Sequence, residues 1–257
     1  INRNGIARLN SNGTLDLSFN PGSGVFGTNE PSVYTIKVLP SGKILVGGDF
    51  TSYNGNVANR IVRINSNGTI DNSFVSNSGF NDVVSDIVVQ PDNKVVVGGS
   101  FSAYNGISAN NLVRLNPDGS HDPIFNAGSG LDGSLFCLEI QSDGKILVGG
   151  LFNYYNGVNL NNLIRLNSDG SLDQSFINGQ GFDHYVKDLL LSNEGKIVVC
   201  GAFSHFNGYF SPGYARLDST GILDLSFSNS SAQGIVNTAS YFADGRVFIG
   251  GDFLTIG

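Results

Sequence analysis

"KVVVGGSFSAYNGISANNLVRLNPDGSHD", residues 94–122, is the stretch on which the fold turns. "KVVVGGSF" runs up to "YNG", "NLVRLN" runs up to "PDG", and "SHDPIF" follows; just upstream, "VSDIVVQ" stops at "PDN". Runs this short, alternating at period two and cut by Asn-Gly or Asp-Gly signals, read as antiparallel strands. They are called A to D here. The three-residue connections "PSG", "SDG" and "SNG" suit a type I turn closed by a left-handed Gly, the G1-bulge hairpin.

The phrase recurs along the whole chain. Gly pairs, one of them written Cys-Gly, end at Gly48, Gly99, Gly150, Gly201 and Gly251, in steps of 51, 51, 51 and 50 residues. Arg8, Arg63, Arg114, Arg165 and Arg216 each stand eight residues before Asp16, Asp71, Asp122, Asp173 and Asp224. A four-stranded unit of about 50 residues cannot cover its own two faces, and radial stacking of such units does cover them. The expected fold is therefore all-β: a β-propeller of five four-stranded blades of about 51 residues, forming one domain over residues 1–257. The competitor, a β-solenoid, has shorter rungs without hairpins.

The ends suggest how the ring closes. After "GGDFLTIG" the repeat calls for a turn and an Arg strand, and the chain begins "INRNGIARLN". Joining them puts Arg8 14 residues beyond Gly251, against 15 in the internal units. Strands C and D from residues 1 to about 19 are expected to pair with strands A and B of the last unit, leaving no open edge.

The pattern "V..I.VQPDNKVVVGGSF..YNG.....LVRLNPDGS.D..F" resembles the delta-60 β-propeller repeat of large secreted and surface proteins of bacteria. Departures are few: extra residues around "GTNEP", Cys200 for Gly, and loss of "YNG" in the last unit. The resemblance implies a propeller in an exported, often multidomain protein, and no defined catalytic activity.

Charge agrees with a restricted set of partners. Lys+Arg is 14 against Asp+Glu 21, a net charge of -7 with no basic run, which argues against nucleic acid or an anionic membrane surface as partner. No apolar stretch reaches the roughly 18 to 20 residues of a membrane helix, so membrane insertion is not expected, and no signal-peptide core opens the chain. Absence of Met and the opening "INRNG" suggest processing or a piece of a longer protein.

Counting outward from each turn sets the registers. Each Arg faces its Asp across the C–D hairpin, a structural pair rather than a catalytic one, since every copy is the same and active carboxylates need differentiated environments. In the A–B hairpin, Ile36 faces Val46 and Val38 faces Ile44 as expected core pairs, recurring as Ile87/Val97 and Leu138/Val148, and the series Thr35, Asp86, Cys137, Asp188, Thr238 faces the first member of each Gly pair. Asp86 and Asp188, with Glu139 nearby, are the weak axial candidates for a cation or for glycosidase-like acids. Cys137 and Cys200 read as two buried thiols, an inter-blade disulfide being the alternative. His121, His184 and His205 fall at non-equivalent positions.

The best sequence candidate for ligand binding is the B–C loop: Tyr53-Asn54, Tyr104-Asn105, Tyr155-Asn156 and Phe206-Asn207. An aromatic face beside an amide, once per blade, suits a sugar; the alternative is that Asn-Gly makes the turn and the ring packs inward. The functional expectation is a non-enzymatic, secreted or cell-surface binding or display module without cofactors. Its partner would be a glycan or another surface protein. A structural spacer is the alternative, and an enzyme the weakest reading.

Overall fold

Strand B anchors every repeat. In the computed structural model, which describes residues 4–27, 30–177, 179–227, 231–242 and 244–257, the strands Ile44–Asp49, Val95–Gly99, Ile146–Leu151 and Ile197–Gly201 are buried almost end to end. That is why they are written as unbroken apolar-and-glycine runs: a strand covered on both faces cannot alternate with polar residues. The two faces serve different cores. Leu45 packs with Ile87, Val97 and Phe101 of the following repeat, whereas Ile44 and Val46 pack with Ile6, Phe19 and Val25 of the preceding segment.

The chain divides into two compact units, Ile1–Pro123 and Ile124–Gly257. In the first, strand A (Ser32–Val38, Val84–Val89) pairs antiparallel with strand B, and strand B with strand C (Ile61–Ile64, Leu112–Leu115), giving two three-stranded sheets. The second holds two more, with Ser134–Ile140 and Val186–Leu191 as strand A and Leu163–Leu166 and Tyr214–Leu217 as strand C. It ends in a long hairpin, Ala232–Tyr241 with Val247–Ile256. No helix occurs among the described residues.

The hairpin registers are those the turn counting requires: Ile36 pairs with Val46, Val38 with Ile44, Ile87 with Val97 and Leu138 with Val148. The B–C connections are two-residue turns in which Asn and Gly both take positive φ (46° and 75° at Asn54 and Gly55), the type I′ geometry that Asn-Gly favours.

Three expectations need correction. First, strand D is reduced to one bridge per repeat, as Ile64 to Ile70 and Leu166 to Leu172. The Asp that follows explains this: Asp71 Oδ1 accepts the backbone N–H and hydroxyl of Ser73, and its carbonyl accepts Phe74 N–H, so the chain turns out of the ladder at once. Second, Ile36 and Val38 are exposed although their partners Val46 and Ile44 are buried, because the cover supplied by Ile6, Phe19 and Val25 reaches Ile44 and Val46 of strand B but on strand A reaches Val33 and not Ile36 or Val38. Third, the expected two-plus-two sheet is not formed among the described residues. The second strand of the last hairpin runs on to Ile256 and pairs with the first, while Leu9 bridges Leu15.

Candidate functional site

The B–C aromatics point inward. Tyr53, Tyr104 and Tyr155 are 0%, 0% and 1% exposed, and each hydroxyl donates to the carbonyl of the Gly in the C–D turn of its own repeat: Gly68 at 2.7 Å, Gly119 at 2.5 Å and Gly170 at 2.6 Å. Burial pushes the Tyr53 phenol up to about 12, and the other two rise with it. Phe206 is equally buried, against Phe182. The partnering amides are also committed. Asn105 Oδ1 accepts Gly79 N–H at 2.9 Å, Asn156 Oδ1 accepts Ser129 N–H at 3.1 Å, Asn207 Oδ1 accepts Gly181 N–H at 3.0 Å, and Asn54 Oδ1 accepts Ser23 N–H at 3.2 Å. Tyr-Asn-Gly is thus a fastener: the ring locks the C–D turn and the amide locks the loop leading into strand A. A sugar-stacking role for these eight residues is lost, because no ring face is open.

The Arg–Asp series is likewise consumed by structure. Arg Nε meets Asp Oδ2 at 2.7 Å for Arg8–Asp16, 2.5 Å for Arg63–Asp71, 2.7 Å for Arg114–Asp122 and Arg165–Asp173, and 2.9 Å for Arg216–Asp224. A residue the sequence reading missed completes four of the five sites: Lys43, Lys94, Lys145 and Lys196 of the A–B turn reach the same oxygen of Asp71, Asp122, Asp173 and Asp224 at 2.8 to 2.9 Å. The signal was there, as a Lys 28 residues before every one of those Asp residues. At Asp71, burial raises the carboxyl while hydrogen bonds from Lys43, Ser73 and Arg63 outweigh it, and the net direction is down. Arg8, Arg63 and Arg165 also donate to carbonyls in the following C–D turn, those of Ser66, Pro117 and Ser219. One guanidinium therefore ties a hairpin together and ties it to its neighbour.

Asp86 and Asp188 serve strands too. Asp86 Oδ1 accepts Thr35 Oγ1 at 2.9 Å and Ile87 N–H at 2.8 Å; Asp188 accepts Leu189 N–H at 2.9 Å, Thr238 Oγ1 at 2.9 Å and Ala239 N–H at 3.0 Å. Glu139, half-buried, pairs with Leu147 in the A–B ladder. Among the described residues no three His, Cys, Asp or Glu side chains converge as a metal would need. Cys137 and Cys200 are buried free thiols, and burial pushes Cys200 up to about 12. His205 Nδ1 contacts Asp183 at 3.0 Å, His121 bridges Leu115, and His184 is exposed.

What remains open is a feature the Gly pair creates. A Cβ on the second Gly would lie 2.0 to 2.2 Å from the carbonyl oxygen of Ser32, Val83, Ser134, Tyr185 or Ile235, so only Gly fits there. At this close approach strand A bulges: pairing slips between Val33 and Thr35, Val84 and Asp86, Leu135 and Cys137, Val186 and Asp188, and Val236 and Thr238. The extra residues are Tyr34, Ser85, Phe136, Lys187 and Asn237. Bulges re-aim a side chain and release it from pairing. The residue before each bulge is Val or Leu in every copy, whereas these five differ in every copy.

In the second unit the bulges gather a cluster. Phe136 and Tyr185 meet edge to face, ring centres 5.8 Å apart at 89°; the Lys187 ammonium lies 4.9 Å from the centre of the Phe136 ring; His184 packs on Tyr185 at 4.9 Å. Both aromatic rings are half-buried and both basic side chains are exposed. This is an amphipathic surface platform, with ring area for apolar contact and the Lys187 ammonium beside it. In the first unit, Tyr34 stands 57% exposed.

Comparison with known proteins identifies the repeat. The model of the β-propeller "Domain of unknown function (DUF5122)" matches residues 1–19, 39–74, 90–125, 141–176 and 194–227. The chain belongs to the DUF5122 β-propeller family. The five matched segments follow the five copies of the Arg–Asp phrase, in keeping with the delta-60 resemblance. No curated protein matches the DUF5122 chain in sequence. Among solved structures, the computationally designed protein Ika8 is 12% identical, with a TM-score of 0.54, covering 93% of this chain and 62% of its own. A protein of unknown function from Bacteroides caccae is 16% identical with a TM-score of 0.49, covering 88% and 77%. The gluconolactonase XC5397 from Xanthomonas campestris is 16% identical with a TM-score of 0.49, covering 95% and 74%. The likeness to Ika8 is one of fold, and no activity passes from the lactonase to this chain.

Proposed function

We propose that this DUF5122 propeller is a non-enzymatic display module of an exported or cell-surface protein, binding through its strand A bulges rather than its B–C loops. One observation carries the reading: the bulge residue is different in every repeat and partly or fully exposed, while the Tyr, Asn, Arg, Asp and Lys of the repeat are tied into the scaffold. An exposed position whose residue changes in every copy, carried on a frame of recurring scaffold residues, is what a recognition surface requires. The export half of the proposal rests on the resemblance to delta-60 repeats. Against catalysis stands the use of Asp86 and Asp188, whose oxygens hold neighbouring strands together instead of facing a reacting group.

The test is a glycan and polymer binding screen of the 257-residue chain beside Phe136→Ala, Tyr185→Ala and, as a B–C ribbon control, Tyr154→Ala. Binding that is lost in the first two and kept in the third supports the bulge surface. Absence of binding by the unmodified chain turns the assignment to a spacer.

A further inference from the structure

We infer that the platform formed by Phe136, His184, Tyr185 and Lys187 takes an acidic polysaccharide, a chain of carboxylated sugar rings; this rests on the binding reading above and names its ligand class. The chain has six lysines. Lys37, Lys43, Lys94, Lys145 and Lys196 each lie within 4.0 Å of an aspartate. Lys187 has no carboxylate within that distance among the described residues, and its ammonium rests over the Phe136 ring instead. The net charge of -7 gives no long-range pull on a polyanion, so the attraction is local: with the other lysines neutralised in place, Lys187 is the ammonium left to accept an anion. An ammonium keeps three donors, and an aromatic ring below it leaves those donors free for a carboxylate.

The rings define the rest of the ligand. A purely inorganic anion would need the cation alone, whereas Phe136 and Tyr185 offer apolar area suited to the face of a sugar ring. The polymeric character follows from repetition. Phe136, Lys187 and Asn237 occupy the same bulge position on three successive sheets of the second unit, so an extended chain can touch several of them, and linked weak contacts multiply.

The experiment is equilibrium binding of the 257-residue chain to polygalacturonate, with dextran as the neutral polymer, for wild type, Lys187→Gln, Lys187→Arg and Tyr185→Ala, each checked for an unchanged melting temperature. Polygalacturonate is expected to bind in preference to dextran. Lys187→Gln is expected to weaken it by about tenfold, Lys187→Arg to retain it, and Tyr185→Ala to weaken it by a similar factor, as loss of a charge-assisted hydrogen bond or a stacked ring does. Equal affinity for both polymers, or an unaffected Lys187→Gln, overturns the acidic class while leaving a bulge-centred surface in place if Tyr185→Ala still abolishes binding. No binding of polygalacturonate overturns the inference outright, and the broader screen then decides the display reading separately.

Discussion

Replacing Tyr104 by Phe removes one oxygen from a fully buried ring and leaves the Gly119 carbonyl, also buried, without its 2.5 Å donor. A hydrogen bond of this kind contributes about 1 kcal/mol net, and leaving its buried acceptor unsatisfied costs about 1 to 3 kcal/mol in all when no water replaces the donor. Because the turn is close to the surface, we take the low end, about 1.5 kcal/mol. With a urea slope of about 3 kcal/mol/M, the unfolding midpoint falls by about 0.5 M. Tyr53 and Tyr155 have their own acceptors, Gly68 and Gly170, with no shared partner, so the triple Tyr→Phe variant is expected to lose about 4 to 5 kcal/mol, or about 1.5 M. Far-UV circular dichroism reports the transition in a chain that has no Trp. A triple variant with an unshifted midpoint, or one that keeps its stability and loses a ligand, would refute the assignment of these rings to the scaffold.

Acid should expose the Asp fasteners. Asp71, Asp173 and Asp224 are held below the ordinary value of 3.8, so their contribution is complete above that value and is lost progressively as pH falls from it toward their lower native-state values. Urea midpoints are thus expected to be flat near neutrality and to drop below about pH 4; midpoints that rise on acidification contradict the assignment. Asp71→Asn, which strands the buried Arg63 guanidinium, is expected to cost about 3 kcal/mol by the same measurement. Gly99→Ala drives a Cβ into the Val83 carbonyl and is expected to destabilise by about 1 to 3 kcal/mol, where an ordinary strand Gly→Ala change would stabilise by about 0.5 to 1 kcal/mol, with the melting temperature as readout. Cys137 and Cys200 are expected to react with a thiol reagent only after unfolding; rapid labelling of the native chain would show that the sheet interior is open.

Much of the frame was legible because turn chemistry sets register arithmetically. Once "PSG" is a three-residue turn, Ile36 must face Val46, and Arg63 must face Asp71 in its own hairpin. What pairing arithmetic could not supply was anything that depends on a third body. It could not say that Lys43 reaches Asp71 from another turn, that Ile36 lacks a cover its partner has, or that strand D ends after a single bridge because Asp71 caps a turn. The Tyr-Asn loops misled for the same reason: an aromatic beside a turn looks exposed until the C–D turn that accepts its hydroxyl is in place. The candidate site was hidden by a different cause. A bulge has no composition of its own, and its mark here is the Gly pair on the opposite strand. Read across the five copies, that pair points to Tyr34, Ser85, Phe136, Lys187 and Asn237 as the positions where the copies disagree.

The bulge has one more consequence. A residue left out of the ladder has no backbone register to keep, and apart from Asn237, which donates to Asp252 across the last hairpin, its identity can change without disturbing register or core. Each of the other repeats therefore holds one address that can be rewritten while the surrounding text stays fixed. Libraries randomised at the codons of Tyr34, Ser85, Phe136 and Lys187 alone should fold about as often as the parent, which would make the chain a carrier for recognition surfaces of a chemist's choosing.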